Sequence, residues 1–372
     1  MSRQPRFSRR QFVRTVGLTA AAAATTQACR ALGLQQDPTA TAPAATHEVP
    51  PKPTHSPYPP TTTQSAATET AHSMIGKVAL VRTDDRATGV RRALDLLGTR
   101  PTQGKHVFLK PNYNSADPAP GSTHPDVLRA MTEWLWDSGA ETITVGDRAG
   151  MGNTRQVMQS VGTFEMADEL GFDTVVFDEL GPEGWVTHEA DHWGRGFAIA
   201  RPVARAESVV QACCLKTHRF GGHFTLSLKN SVGMVAKQIP GDGYNYMTEL
   251  HRSGHQRRMI AEVNAAYSPD LVVIDGVEAF TTGGPDRGTT VNAQVVLAGS
   301  DQVALDAVGV ALLRYYGTTR EVRSGPIFEQ EQIARAVEIG LGVSGPENIE
   351  FITDDPESSA YVELLQPILL DG

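Results

Sequence analysis

Short apolar runs alternate with amphipathic stretches from about residue 75 onward. The runs at 77–81, 106–109, 142–145, 174–177, 208–213, 271–274 and 294–298 are rich in β-branched and apolar residues. Their length and composition predict buried strands. Between them, 87–97, 125–137, 154–170, 248–267, 301–316 and 326–340 carry apolar residues at helical spacing. Pro125 and Pro326 suit first helical turns, and Gly139 and Gly171 suit helix ends. Strand–helix alternation predicts a single α/β domain over 75–372, with an open, mostly parallel sheet and helices on both faces. Ligands of such sheets collect at the carboxyl ends of the strands.

The pattern fails before residue 75. Residues 30–74 are rich in Pro, Thr and Ala without any hydrophobic period, which predicts a disordered spacer. Further back, Ser8-Arg9-Arg10-Gln11-Phe12-Val13 precedes a weakly apolar, alanine-rich run. Paired arginines ahead of such a run predict a twin-arginine signal peptide over 1–29. The run is too short and too weakly apolar for a membrane span. The twin-arginine translocase is then an expected partner, and the location is periplasmic or otherwise extracytoplasmic. Thr26-Gln27-Ala28-Cys29 resembles a lipoprotein junction, with Thr26 where a leucine is usual. Two outcomes stay open: a lipid anchor at Cys29, the expected route to a membrane, or a soluble exported chain. Export in the folded state favours a bound cofactor without naming it.

Charge narrows the partners. The chain of 372 residues has formal charge −9, and residues 1–28 hold five arginines and no acid, so removing them leaves −14. That balance argues against nucleic acid. Cys29, Cys213 and Cys214 are too few for a self-contained four-cysteine iron–sulfur cluster. Cys213 and Cys214 end an apolar run and read as buried structural thiols.

Polar residues gather where the expected strands stop. Lys110-Pro111-Asn112 follows the second, Gly146-Asp147-Arg148 the third, and Lys216-Thr217-His218 the fifth, with Lys229-Asn230 beyond. Asp275-Gly276-Val277-Glu278 follows the sixth and leads into a glycine loop at 283–288, and Asp301 and Asp306 follow the seventh. Lys110, Lys216 and Lys229 with Asn112 and Asn230 suit a phosphate or carboxylate. A lysine in a dry cleft also serves as a base, a role expected of Lys216. His218 with Asp275 or Glu278 would move a proton or hold a metal ion, with His218, His251 and Asp275 as candidate ligands. Gly284 and Gly288 are expected in a ligand loop or lid. His188, His192 and His255 read as surface or loop histidines.

The order of these motifs resembles the domain of unknown function 362 family. The resemblance rests on Lys110-Pro111-Asn112, His124-Pro125, Gly146-Asp147, Leu215-Lys216-Thr217-His218, Leu228-Lys229-Asn230, Asp275-Gly276-Val277-Glu278 and Gly284-Pro285, with Asp301, Asp306 and Gly340-Leu341-Gly342 further on. It implies a fold and a pocket and no settled reaction. Some members resemble fusions to ferredoxin-type modules, which implies redox partners, and no such module is read in this sequence. Where the family often has proline ahead of its Lys-Thr-His, this chain has Cys213-Cys214-Leu215. The leading expectation is an exported enzyme that binds a small anionic substrate or cofactor. The alternatives are a tethered, non-catalytic cofactor-binding or redox-accessory protein, and a structural module whose polar clusters tie loops together.

Overall fold

A computed structural model describes residues 75–371. The expected signal, the Cys29 junction and the spacer lie outside the described residues. Twelve strands are described: β1 (Gly76–Arg82), β2 (His106–Lys110), β3 (Thr142–Asp147), β4 (Asp173–Val176), β5 (Trp185–His188), β6 (Phe197–Ala200), β7 (Ser208–His218), β8 (His223–Thr225), β9 (Pro269–Gly283), β10 (Gly288–Val291), β11 (Val295–Gly299) and β12 (Ile349–Ile352). The main sheet runs β12-β1-β11-β9-β7-β2-β3-β4. Every neighbour along that path pairs parallel except β11, which is antiparallel to both β1 and β9. The short β8 and β10 add antiparallel to β7 and β9. The fold is an α/β architecture around one mostly parallel sheet.

Alternation along the strands divides the core. Val78 and Leu80 of β1, Ile274 of β9 and Leu297 of β11 pack with the helix Gln302–Tyr315 on one face. Their neighbours Ala79, Val81, Val273 and Ala298 pack with the helices Arg86–Leu96 and Pro125–Asp137 on the other. Both faces are buried, so these strands read as continuous apolar runs rather than as alternating ones. A third cluster holds Phe108, Phe177, Trp193 and Phe197.

Several elements differ from the sequence reading. The helix expected over 154–170 breaks at Gly162, which adopts φ +77°, into Thr154–Ser160 and Thr163–Leu170. The one expected over 248–267 divides at Ser253-Gly254 into Tyr246–Arg252 and Gln256–Val263. Pro326 opens a 3-10 turn, and the helix behind it is Glu331–Glu338. Strands β7 and β9 run well past their expected ends, so Lys216-Thr217-His218 and Asp275-Gly276-Val277-Glu278 are strand, not loop. Because β11 is reversed, Asp301 lies at the opposite end of the strands from the carboxyl ends of β2 and β7. There it caps the helix Gln302–Tyr315 through Ala304 N.

Candidate active-site cleft

The chain leaving β2 leads to the helix Pro125–Asp137 on one face of the sheet. The chain leaving β7 leads through β8 to the short helix Ser227–Asn230, whose Leu228 packs on the other face. Neighbouring strands whose connections diverge in this way open a crevice at their carboxyl ends. A cleft of about 500 Å³ lies there. Its lining includes Lys110, Asn112, Lys216, His218, Lys229, Asn230, His251 and Pro285, so the expected lysine and asparagine set meets in space. Asp147, which ends β3, and Arg148 just after it also line it.

The floor is a network of buried polar groups. Lys110 Nζ lies 2.7 Å from Asp147 Oδ1, with both side chains 1% exposed. Asp147 also accepts from Tyr113 N at 2.8 Å and Arg148 N at 2.6 Å. Burial pulls the Lys110 ammonium down and pushes the Asp147 carboxyl up, and their contact opposes both shifts. Lys216 Nζ donates to Asn112 Oδ1 at 2.9 Å, to Pro285 O at 3.3 Å and to Gly121 O. Asn112 Nδ2 donates to Asn230 Oδ1 at 3.1 Å, and Asn230 Nδ2 donates to Gln211 Oε1 at 3.1 Å. Lys216 thus meets only neutral oxygens. Arg148 is buried and donates to the carbonyls of Val232 and Val235, both at 2.7 Å. No carboxylate hydrogen-bonds its guanidinium among the described residues.

Lys229 is the exception in this network. Its ammonium has no hydrogen-bond or ion-pair partner among the described residues. Burial, then Lys216 and Arg148, pull it down to about 7. His218 stands beside it: a Cβ built on Gly222 would meet Lys229 Cε at 2.5 Å and His218 Nδ1 at 3.2 Å. Burial holds His218 well below the usual histidine range, and the neighbouring Lys229 and Lys216 add to this. Three buried polar atoms of cleft-lining residues lack partners among the described residues: His218 Nδ1, Asn114 Nδ2 and Thr225 Oγ1. His251 lines the mouth, with Nδ1 2.7 Å from Met247 O. Burial lowers its ring too.

Other expected members stand apart. Asp275 and Glu278 are absent from the lining: Arg86 Nε lies 2.9 Å from Asp275 Oδ2, and Arg86 Nη2 lies 3.0 Å from Glu278 Oε2. The structure therefore does not bring either carboxylate to His218. Among the described residues there is no group of three or more His, Cys, Asp or Glu that could hold a metal ion. Gly284 and Gly288 are packing glycines. A Cβ on Gly284 would strike Thr217 O, and one on Gly288 would strike Thr282 O. They close the β9–β10 hairpin, and Pro285 of that turn reaches the cleft. Asp306 supports the site from behind: its carboxylate accepts from Ser227 N at 2.7 Å and Leu228 N at 3.2 Å, fixing the turn that carries Lys229 and Asn230. Cys213 and Cys214 are buried free thiols, and burial pushes both upward, Cys214 to about 11.

Sequence reading did not give Gly233 a role. A Cβ there would meet Asp147 Oδ1 at 2.5 Å and Lys110 Nζ at 2.6 Å, so only glycine lets this backbone lie against the ion pair. Nothing local marks it, because the groups that crowd it, Asp147 and Lys110, belong to distant segments of the chain.

Fold and cleft define an α/β protein with a cationic crevice at its strand ends. A family model described as "Domain of unknown function (DUF362)" matches residues 107–311, over half of the chain, and the chain belongs to that family. It is similar to a thylakoid-associated protein of Synechocystis sp., at 25% identity over 254 residues, covering 65% of this chain and 75% of the relative. Among solved structures it overlaps the lactate racemase apoprotein from Thermoanaerobacterium thermosaccharolyticum. That overlap has TM-score 0.37 and 16% identity, and it covers 62% of this chain and 55% of the other. Nothing about the site follows from it.

Proposed function

We propose that the cleft binds a small organic anion and moves a proton within it, with Lys229 as the proton-carrying group. One observation carries the reading: His218 Nδ1, Asn114 Nδ2 and Thr225 Oγ1, buried and without partners among the described residues, belong with Lys229 to residues lining one cleft whose floor is rich in buried cations. Oxygens of a carboxylate or phosphate would give Lys229 the acceptor it lacks and could also take His218, in the tautomer that donates from Nδ1. Lys216 and Arg148 add positive charge without meeting a carboxylate. A lysine near neutrality gives and takes protons at the pH where it works.

Isothermal titration with sulfate and inorganic phosphate tests binding. Lys229→Met should weaken either anion at least about tenfold, the usual scale for losing a charge-assisted contact. Unchanged affinity would sink the anion site. The proton step is tested separately by incubating small carboxylic acids in heavy water and following C–H exchange by NMR. Exchange lost in Lys229→Met supports an enzyme, and binding without exchange supports a non-catalytic carrier.

The reading includes export, supported by the Arg9-Arg10 pair. Replacing both arginines with lysine should shift the protein to the cytoplasmic fraction of its host. An unaltered distribution between fractions would refute it. Among the described residues no helix is long and apolar enough to cross a membrane.

A further inference from the structure

The rim of the cleft differs in kind from its floor. Lys110, Lys216, Arg148 and Lys229 are buried at the bottom. Met151 and Phe220 line the same cleft yet are 43% and 48% exposed, large apolar surfaces left facing water. Met247, half-buried, lines it too. Exposed apolar groups gathered at a pocket point to a ligand surface rather than to core packing.

Size agrees with this. A phosphate or carboxylate head uses a small part of about 500 Å³, a volume in the range that holds drug-sized molecules. The Phe220 ring is held by its neighbours: the Arg219 guanidinium lies 4.5 Å from its centroid, and the His218 ring lies 5.8 Å away, edge-on. Even so braced, it stays half-exposed. A fixed aromatic ring and thioether side chains suit a planar π system, through stacking and sulfur–aromatic contact.

We infer that the ligand is an organic acid with an aromatic body, its anionic head on the Lys229 floor and its ring against Phe220 and Met151. This rests on the anion reading and adds the class of substrate. Titration of the full chain compares 2-naphthyl phosphate with inorganic phosphate, and 2-naphthoate with acetate. The aryl acid should bind at least about tenfold more tightly in one of the two series, from apolar area buried and ring contact. Phe220→Ala with Met151→Ala should bring that ratio to within about twofold. Equal affinities in both series overturn the aromatic claim and leave the anion site standing. Neutral 2-naphthol separates the two ideas. If it binds as tightly as 2-naphthyl phosphate, the anion site falls, and this inference falls with it.

Discussion

Lys229 shows what one position does to a cleft. A lysine whose ammonium meets only other cations and neutral groups loses protons easily, and here it sits at about 7. The unfolded chain holds that proton up to about pH 10.5. Between about 7 and 10.5 the unfolded state therefore binds more protons, and stability from this group rises with pH. Thermal melts from pH 7 to 10 should show that rise and lose it in Lys229→Met. Sulfate keeps its charge across this range, so its affinity should fall about tenfold per pH unit above 7 as the ammonium disappears. A flat affinity profile would mean that Lys229 is not the group meeting the anion.

Short elements hold the site, and each depends on a neighbour. The helix Ser227–Asn230 is a single turn, too short to be stable alone. Its amide ends at Ser227 and Leu228 are satisfied by Asp306, inside the helix Gln302–Tyr315. Asp306→Ala leaves those N–H groups buried and unpaired, at about 1–3 kcal/mol. Anion affinity should weaken with it, because the turn that aims Lys229 and Asn230 relaxes. Asp306→Asn keeps an acceptor and should recover much of both effects. Destabilisation without weakened binding would show that Asp306 holds only the core.

Legibility in the sequence divides along the same line. The helix Pro125–Asp137 was readable to the residue, because its proline and apolar period are local signals. The lysines and asparagines of the cleft were readable because they follow apolar runs. The ends of β7 and β9 were not. Lys216, His218, Asp275 and Glu278 look like loop residues until pairing with β8, β10 and β11 is known, and pairing is a property of distant segments. Placing Asp275 beside His218 failed for the same reason. Its partner, Arg86, is 189 residues away, and no spacing rule reports it.

Across the whole molecule, Arg86 ties the start of the helix after β1 to β9, which stands beyond β11. Asp275 is 2% exposed, so Arg86→Met would strand a buried carboxylate, at about 3–5 kcal/mol. Adding Asp275→Asn should restore part of that loss. Sulfate affinity of the variants should match the parent, since neither residue lines the cleft. A change in affinity alone would return Asp275 to the site and bring Arg86 in with it.

The same sheet order fixes where the domain can be held. The described chain begins at Ile75, at the amino end of β1, while the cleft opens at the carboxyl ends of β7 and β2. Strands β11 and β9 stand between β1 and β7. A bead, dye or sensor chip joined at that point leaves the ligand's approach clear. A steady pull there would load the ladders joining β1 to β12 and β11 before any strain reached the lysines.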